Sequence, residues 1–356
     1  MRNTILIDAV RNFIKINKPA VLVGNGINRY ADPYAWDDLL KDLLKHDELK
    51  DDICVQKRIS ALFDEDGRVK NGISCTEVYD LINSAYRDAV FYTDDEKESE
   101  NEEPTSLQLY VKNCLPEKNF SRSKFKHIAK FIKIAKKERL PVMTTNFDEH
   151  LETFLKCPTT KVIDANVVKN KSIKHFAYPW NQYSIEKGSQ QLEDSKDGFA
   201  IWHIHGCVKD ARSIQMGTNQ YMRIARHAMS LMTREKDNSG NTADLTLYKN
   251  DEKWYGSNTW LELIFHKNLL LMGVGLKKDE FCLRWLLMER MKYLKKRFSE
   301  TNEDKFKKWM TSVYITCANT LSVEERIFLE TCGFEVIELS SYKEVYEDLW
   351  ENWSEK

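Results

Sequence analysis

Four short segments place polar residues or glycines directly after runs of apolar residues. Val21-Leu22-Val23 runs into Gly24-Asn25-Gly26-Ile27-Asn28, and Val142-Met143 into Thr144-Thr145-Asn146-Phe147-Asp148. Ile201-Trp202 runs into His203-Ile204-His205-Gly206, and Leu269-Leu270-Leu271-Met272 into Gly273-Val274-Gly275-Leu276, with Asp279 beyond. Residues just past the carboxyl end of a buried strand sit where open α/β sheets bind their ligands. An imidazole there serves as a general acid or base near neutral pH. An asparagine amide both donates and accepts, so it suits hydroxyl groups. Glycines after a first strand let the backbone approach a pyrophosphate, whose charge backbone amides bind.

Each segment has a plainer reading beside this one. The third glycine of a dinucleotide fingerprint is absent, because position 29 is Arg, so Gly24-Asn25-Gly26 equally fits a tight turn. Asp148 equally fits the cap of a helix through Leu151 and Leu155. Alternation puts His203 and His205 on one strand face and Trp202 and Ile204 on the other. A His-x-His pair also suits a metal, but such sites need further ligands at other strand ends, and the remaining histidines fall mostly in helical or insert patterns. A single buried, hydrogen-bonded histidine is the simpler account. Of the two, His205 is better placed for catalysis, being at the strand's end with room beside it at Gly206. Gly273 and Gly275 also fit a turn, with Asp279 starting the next helix.

The elements that must carry these segments follow from apolar periodicity. Residues 2–16 are amphipathic and helical, 20–23 form a first strand, and Trp36 with Leu39, Leu40, Leu43 and Leu44 marks a helix. Residues 47–125 are helical and charged, with a solvated acidic tract at 94–103. A helix at 128–137 leads into the strand ending at Thr144; residues 158–198 are polar and irregular, a second insertion. A short strand at 214–218, a helix at 221–231 and a loop at 237–242 follow. Helices at 260–266 and 280–296 flank the strand at 269–273, strands at 313–317 and 334–339 come last, and a helix at 345–353 closes the chain. Strands that are continuous apolar runs between helices imply a parallel sheet covered on both faces. The expectation is a Rossmann-like α/β fold, one domain over residues 1–356 with a large helical insertion, leaving no room for a separate sensor or effector.

Of 356 residues, 42% are apolar and 31% charged, and the net charge of −1 gives no global attraction to nucleic acid. No apolar run is long enough to span a bilayer, and Asp8, Arg11 and Lys15 interrupt any secretory h-region. The eight cysteines are scattered, without a Cys-x-x-Cys pair, which fits reduced thiols in a cytoplasm and no structural zinc.

Taken in order, these motifs resemble the SIR2-like family over residues 19–339. Gly24-x-Gly26-Ile27 is similar to its Gly-Ala-Gly-Ile-Ser loop, and Trp36 with Leu39-Leu40 to the helix that follows. Thr144 to Asp148 matches its Thr-x-Asn-x-Asp motif, His205-Gly206 its His-Gly, and Tyr221 a downstream tyrosine. Gly273-x-Gly275 through Asp279 matches the late Gly-x-Ser-x-x-x-Asp strand end. Asn28 and Gly275 stand where the family has serines, and the two Cys-x-x-Cys pairs of sirtuin deacylases are missing. The chain therefore looks like the bacterial SIR2-like NADases of anti-phage defence. That resemblance implies cleavage of NAD to nicotinamide and ADP-ribose without a metal, with Asn146 and His205 catalytic. It implies NAD contacts at Gly24, Asn25, Gly26, Ile27, Asn28, Thr145, Asp148, Gly273 and Gly275. It also implies control by self-association or by a partner such as a HerA-type ATPase. The alternatives are a nucleotide-binding assembly subunit with little turnover and, less favoured, a protein deacylase.

Overall fold

The computed structural model describes residues 2–46, 53–86, 103–115, 121–163, 179–233, 246–249, 254–298 and 311–353. Most of the acidic tract at 94–103 and the predicted loop at 237–242 lie outside the described residues.

The chain builds one eight-stranded sheet. Its strands are β1 (Ala20–Val23), β2 (Val142–Thr144), β3 (Pro158–Val162), β4 (Gln182–Glu186), β5 (Ile201–His203), β6 (Leu269–Met272), β7 (Ser312–Cys317) and β8 (Phe334–Leu339). The spatial order is β3-β4-β5-β2-β1-β6-β7-β8. β1 lies between β2 and β6, with Val21 opposite Val142 on one side and Leu270 on the other. The six strands from β5 to β8 are parallel, whereas β4 runs antiparallel to both β3 and β5. The sheet is thus mixed, not wholly parallel, and the polar segment at 158–198 contributes two of its strands. Polarity hid them: β3 is an edge strand with Thr159, Thr160 and Lys161 only half covered, and edge strands commonly carry such residues.

Alternation along the buried strands feeds two cores. Ala20, Leu22, Met143, Trp202, Leu269 and Leu271 pack with the helices Thr218–Thr233, Leu261–His266 and Phe281–Phe298. Val21, Val23, Val142, Ile201, Leu270 and Met272 pack with the helices Arg2–Asn17 and Lys126–Glu138. A third core lies between the helix Trp36–Leu44 and the helices Ile53–Ser60, Cys75–Ser84 and Ser106–Cys114 of the insertion. It takes in Phe147, Val208, Ile214 and Met216 from the loops after β2 and β5, so the insertion is joined to the carboxyl end of the sheet.

Polar contacts tie the same parts together. Asp279 Oδ1 accepts from the Cys75 amide at 2.8 Å, Asp80 Oδ2 from the Thr218 amide at 2.9 Å, and Gln108 Nε2 donates to the Ile214 carbonyl at 3.0 Å. Residues 214–217 form no strand. Gln215 donates to the His205 carbonyl, while the Met216 and Gly217 amides donate to the Gln220 side chain, so no ladder partner remains for them. The closing segment is a helix at Tyr342–Tyr346 followed by a 3₁₀ turn at Asp348–Trp350.

At the centre of the sheet the loops after β1 and β6 meet backbone to backbone. The Gly24 amide donates to Met272 O at 3.1 Å and the Gly26 amide to Gly273 O at 2.9 Å. A Cβ at Gly24 would stand 2.5 Å from Gly273 O and 2.7 Å from Val274 Cα. Both obstacles are main chain, so neither can rotate away. Gly24→Ala should therefore destabilise by about 3 kcal/mol, the upper range for overpacking. A thermal melt coinciding with wild type would show that the two loops separate freely.

Candidate functional site

The loops after β1 and β2 wall a cleft of about 730 Å³, its open mouth included. Asn25, Asn28 and Asp32 line it from the first loop, and Thr145, Asn146 and Asp148 from the second; Trp36, Phe125 and Phe147 supply aromatic surface. Asn28 Nδ2 donates to Asp148 Oδ2 at 2.7 Å, which joins the two loops across the cleft. The other Asp148 oxygen accepts from the His150 amide at 3.0 Å, so the aspartate shapes a turn, and only a single 3₁₀ turn at Glu152–Phe154 follows in place of the capped helix.

Asn146 is 6% exposed, and neither atom of its side-chain amide has a partner; the Asn28 Oδ1 atom is also buried and unpartnered. Each buried unsatisfied group costs about 1–3 kcal/mol. Such groups facing one cleft from both of its loops suit a polar ligand.

His203 supports Asn146 from behind. Its Nδ1 donates to the Asn146 carbonyl and its Nε2 meets Glu152 Oε1, both at 2.8 Å. Burial opposes a charge on this ring, but Cys207 and Glu152 beside it prevail and hold its pKa well above the usual value. Both nitrogens of His203 are thereby engaged by protein. Among the described residues, no three His, Cys, Asp or Glu side chains are grouped to hold a metal ion.

His205 is 4% exposed and has a different set of neighbours. Its Nε2 lies 2.9 Å from Glu280 Oε2, its ring stacks on Tyr221 at 4.7 Å between centroids, and Nδ1 has no partner. The space beside Gly206 is taken by protein: at φ +88°, a Cβ there would lie 1.9 Å from Ser213 O.

The predicted residues thus fall into groups. Asn25, Asn28, Thr145, Asn146 and Asp148 share the cleft. Gly24, Gly26 and Gly273 make the backbone contact behind it, Ile27 is buried and gives its carbonyl to His127, and Gly275 borders open space. His205 lies outside the cleft lining, beyond the end of β5. Glu280, Glu152, His127 and Asp32 escaped the sequence reading. Glu280 follows Asp279 at a helix start, where acidic residues need no chemical explanation.

A mostly parallel sheet covered on both faces, with a polar cleft at the carboxyl ends of its central strands, defines an open α/β protein whose cleft lies where such sheets bind their ligands. The family model described as SIR2-like domain matches residues 141–336, and the chain belongs to that family. The matched span contains Asn146, His205 and Glu280 and leaves Gly24 to Asn28 outside. Membership associates the chain with NAD-related function. No curated protein matches it. No helix among the described residues is long and apolar enough to cross a membrane.

His127 Nε2 donates to the Ile27 carbonyl at 2.7 Å, fixing the loop after β1. Burial outweighs that bond and Glu347, and lowers the pKa of the ring. The folded ring is therefore neutral where the unfolded one, near 6.5, already binds a proton. The stability it contributes is complete above about pH 6.5 and is lost as pH falls from there through the lowered folded value. Denaturant melts of wild type should weaken across that acid range more steeply than those of His127→Gln. Equal pH slopes for the two proteins would remove His127 from this role.

Proposed function

We propose that this chain is an NAD⁺ hydrolase that breaks the nicotinamide–ribose bond to give nicotinamide and ADP-ribose. The observation that carries the reading is the unpartnered Asn146 amide on the wall of an acidic cleft. The residues present fit the nicotinamide end of the dinucleotide. Asp32 and Asp148 suit a cationic ring, Trp36, Phe125 and Phe147 suit its flat faces, and the amides of Asn28 and Asn146 suit a carboxamide or ribose hydroxyls. NAD itself supplies a good leaving group, a neutral nicotinamide departing from a pyridinium.

In this reading Asn146 orients a ribose hydroxyl or the attacking water, and His205 removes its proton as the sugar takes on oxocarbenium character. Asn28 and Asp148 hold the two loops at one spacing. Gly24 and Gly26 act through the fold, since their amides already donate to Met272 and Gly273. The setting in phage defence, with self-association or a partner ATPase as control, rests on the family resemblance. A second reading, binding with little turnover, is favoured by the position of His205 outside the cleft lining and by its contacts with Glu280 and Tyr221.

Asn146→Ala and His205→Ala should each lower nicotinamide release from NAD⁺ at least about a hundredfold while the circular dichroism stays unchanged. Acyl-peptide should not accelerate the wild type. Near-wild-type turnover in either variant would refute the site assignment. A wild type that binds NAD⁺ without releasing nicotinamide would establish the second reading instead.

A further inference from the structure

The loop after β6 delivers an acidic residue to a histidine that ends another strand. Glu280 closes the 3₁₀ turn Lys278–Glu280 and is itself largely enclosed, its side chain 13% exposed against 4% for His205. Its Oε2 stands 2.9 Å from His205 Nε2, within hydrogen-bond range. Tyr221, from the helix Thr218–Thr233, stacks against the same ring at an interplanar angle of 26°. One nitrogen and one face of the imidazole are thus occupied, and Nδ1 is left buried without a partner.

The neighbouring charges are committed elsewhere. Asp279 accepts from the Cys75 amide, and the adjacent histidine, His203, is taken by Glu152 and the Asn146 carbonyl. Glu280 and Tyr221 are accordingly the titratable groups that face His205. A carboxylate at Nε2 requires the proton of a neutral ring to sit on Nε2, which leaves the lone pair on Nδ1.

We infer that Glu280 is a positioning residue for His205, fixing its tautomer so that Nδ1 is the nitrogen that accepts a proton from the reacting hydroxyl or water. This rests on the hydrolase reading above and adds to it the partner of the base and the identity of the reacting nitrogen. In the step, the O–H bond breaks, an Nδ1–H bond forms, and the electron pair stays on the oxygen that joins the anomeric carbon. The pair of the C–N bond leaves with nicotinamide. Glu280 stabilises the imidazolium so formed without taking its proton, as the aspartate does for a serine-protease histidine.

The test compares wild type, Glu280→Gln, Glu280→Asp and His205→Ala in the full chain. Histidine labelled with ¹⁵N gives the tautomer of each neutral ring by NMR, with His205 assigned from its loss in His205→Ala. Wild type should show His205 as the Nε2–H tautomer, and Glu280→Gln, whose amide can donate to Nε2 as well as accept from it, should show a mixture of both tautomers. In the same variant kcat at neutral pH should fall at least about tenfold with KM little changed. Glu280→Asp, which keeps the carboxylate on a shorter arm, should recover kcat in part. An unchanged tautomer or an unchanged kcat in a folded Glu280→Gln protein would overturn the inference. If wild type itself releases no nicotinamide, the hydrolase reading fails, and with it the catalytic purpose assigned to Glu280. The NMR tautomer then still separates the two failures, because it reports the Glu280–His205 pairing without any turnover.

Discussion

The site hangs on a contact that excludes side chains. β1 is the central strand, and the loop that leaves it touches the loop leaving β6 through Gly24, Gly26 and Gly273. Because main chain meets main chain, the start of the short helix Gly26–Arg29 is set by the sheet and not by adaptable packing. Asn28 leaves that helix at a fixed height and reaches Asp148. His127 braces the same turn from the other side through Ile27. Gly24, Gly26 and Gly273 thus hold the two loops together behind the residues that line the cleft.

The cleft is acidic. Its charged lining is Asp32 and Asp148, with no lysine or arginine contributing among the described residues. In the NAD⁺ hydrolase we propose, that charge favours the cationic ring of the dinucleotide over its diphosphate. Asn146 shares the lining, its carbonyl held by His203 and its side-chain amide left open. The cost of keeping that amide unsatisfied is tolerated because His203 and Glu152 secure the loop behind it.

Much of this was legible in the sequence for a simple reason. Val21-Leu22-Val23 and Leu269-Leu270-Leu271 are too apolar to lie anywhere but in a doubly covered sheet, and the residues directly after such runs must lie at the carboxyl ends of its strands. Asn25, Asn28, Thr145, Asn146 and Asp148 share one cleft lining for that reason. The features that stayed hidden depend on contacts distant along the chain. Glu280 meets His205 across two strand ends, and His127 meets Ile27 from a helix that periodicity explains as mere core packing. The β3–β4 pair is hidden because one face of an edge strand needs no apolar residue, and 214–218 is no strand because the carbonyls of Ala211 and His205 and the side chains of Gln220 and Asp80, not a neighbouring strand, accept from its amides.

The position of β1 has a consequence for how the chain is made. Its four apolar residues leave the ribosome well before their partners, β2, ending at Thr144, and β6, ending at Met272. At about 5–20 residues per second, the nascent chain waits on the order of tens of seconds before its central strand has both neighbours. During that interval Ala20–Val23 is an unpaired, sticky edge, which the amphipathic helix Arg2–Asn17 can cover on one side. Synthesis of this protein is thus a race between completing the sheet and meeting another nascent copy, and crowding of ribosomes on its message shortens the odds.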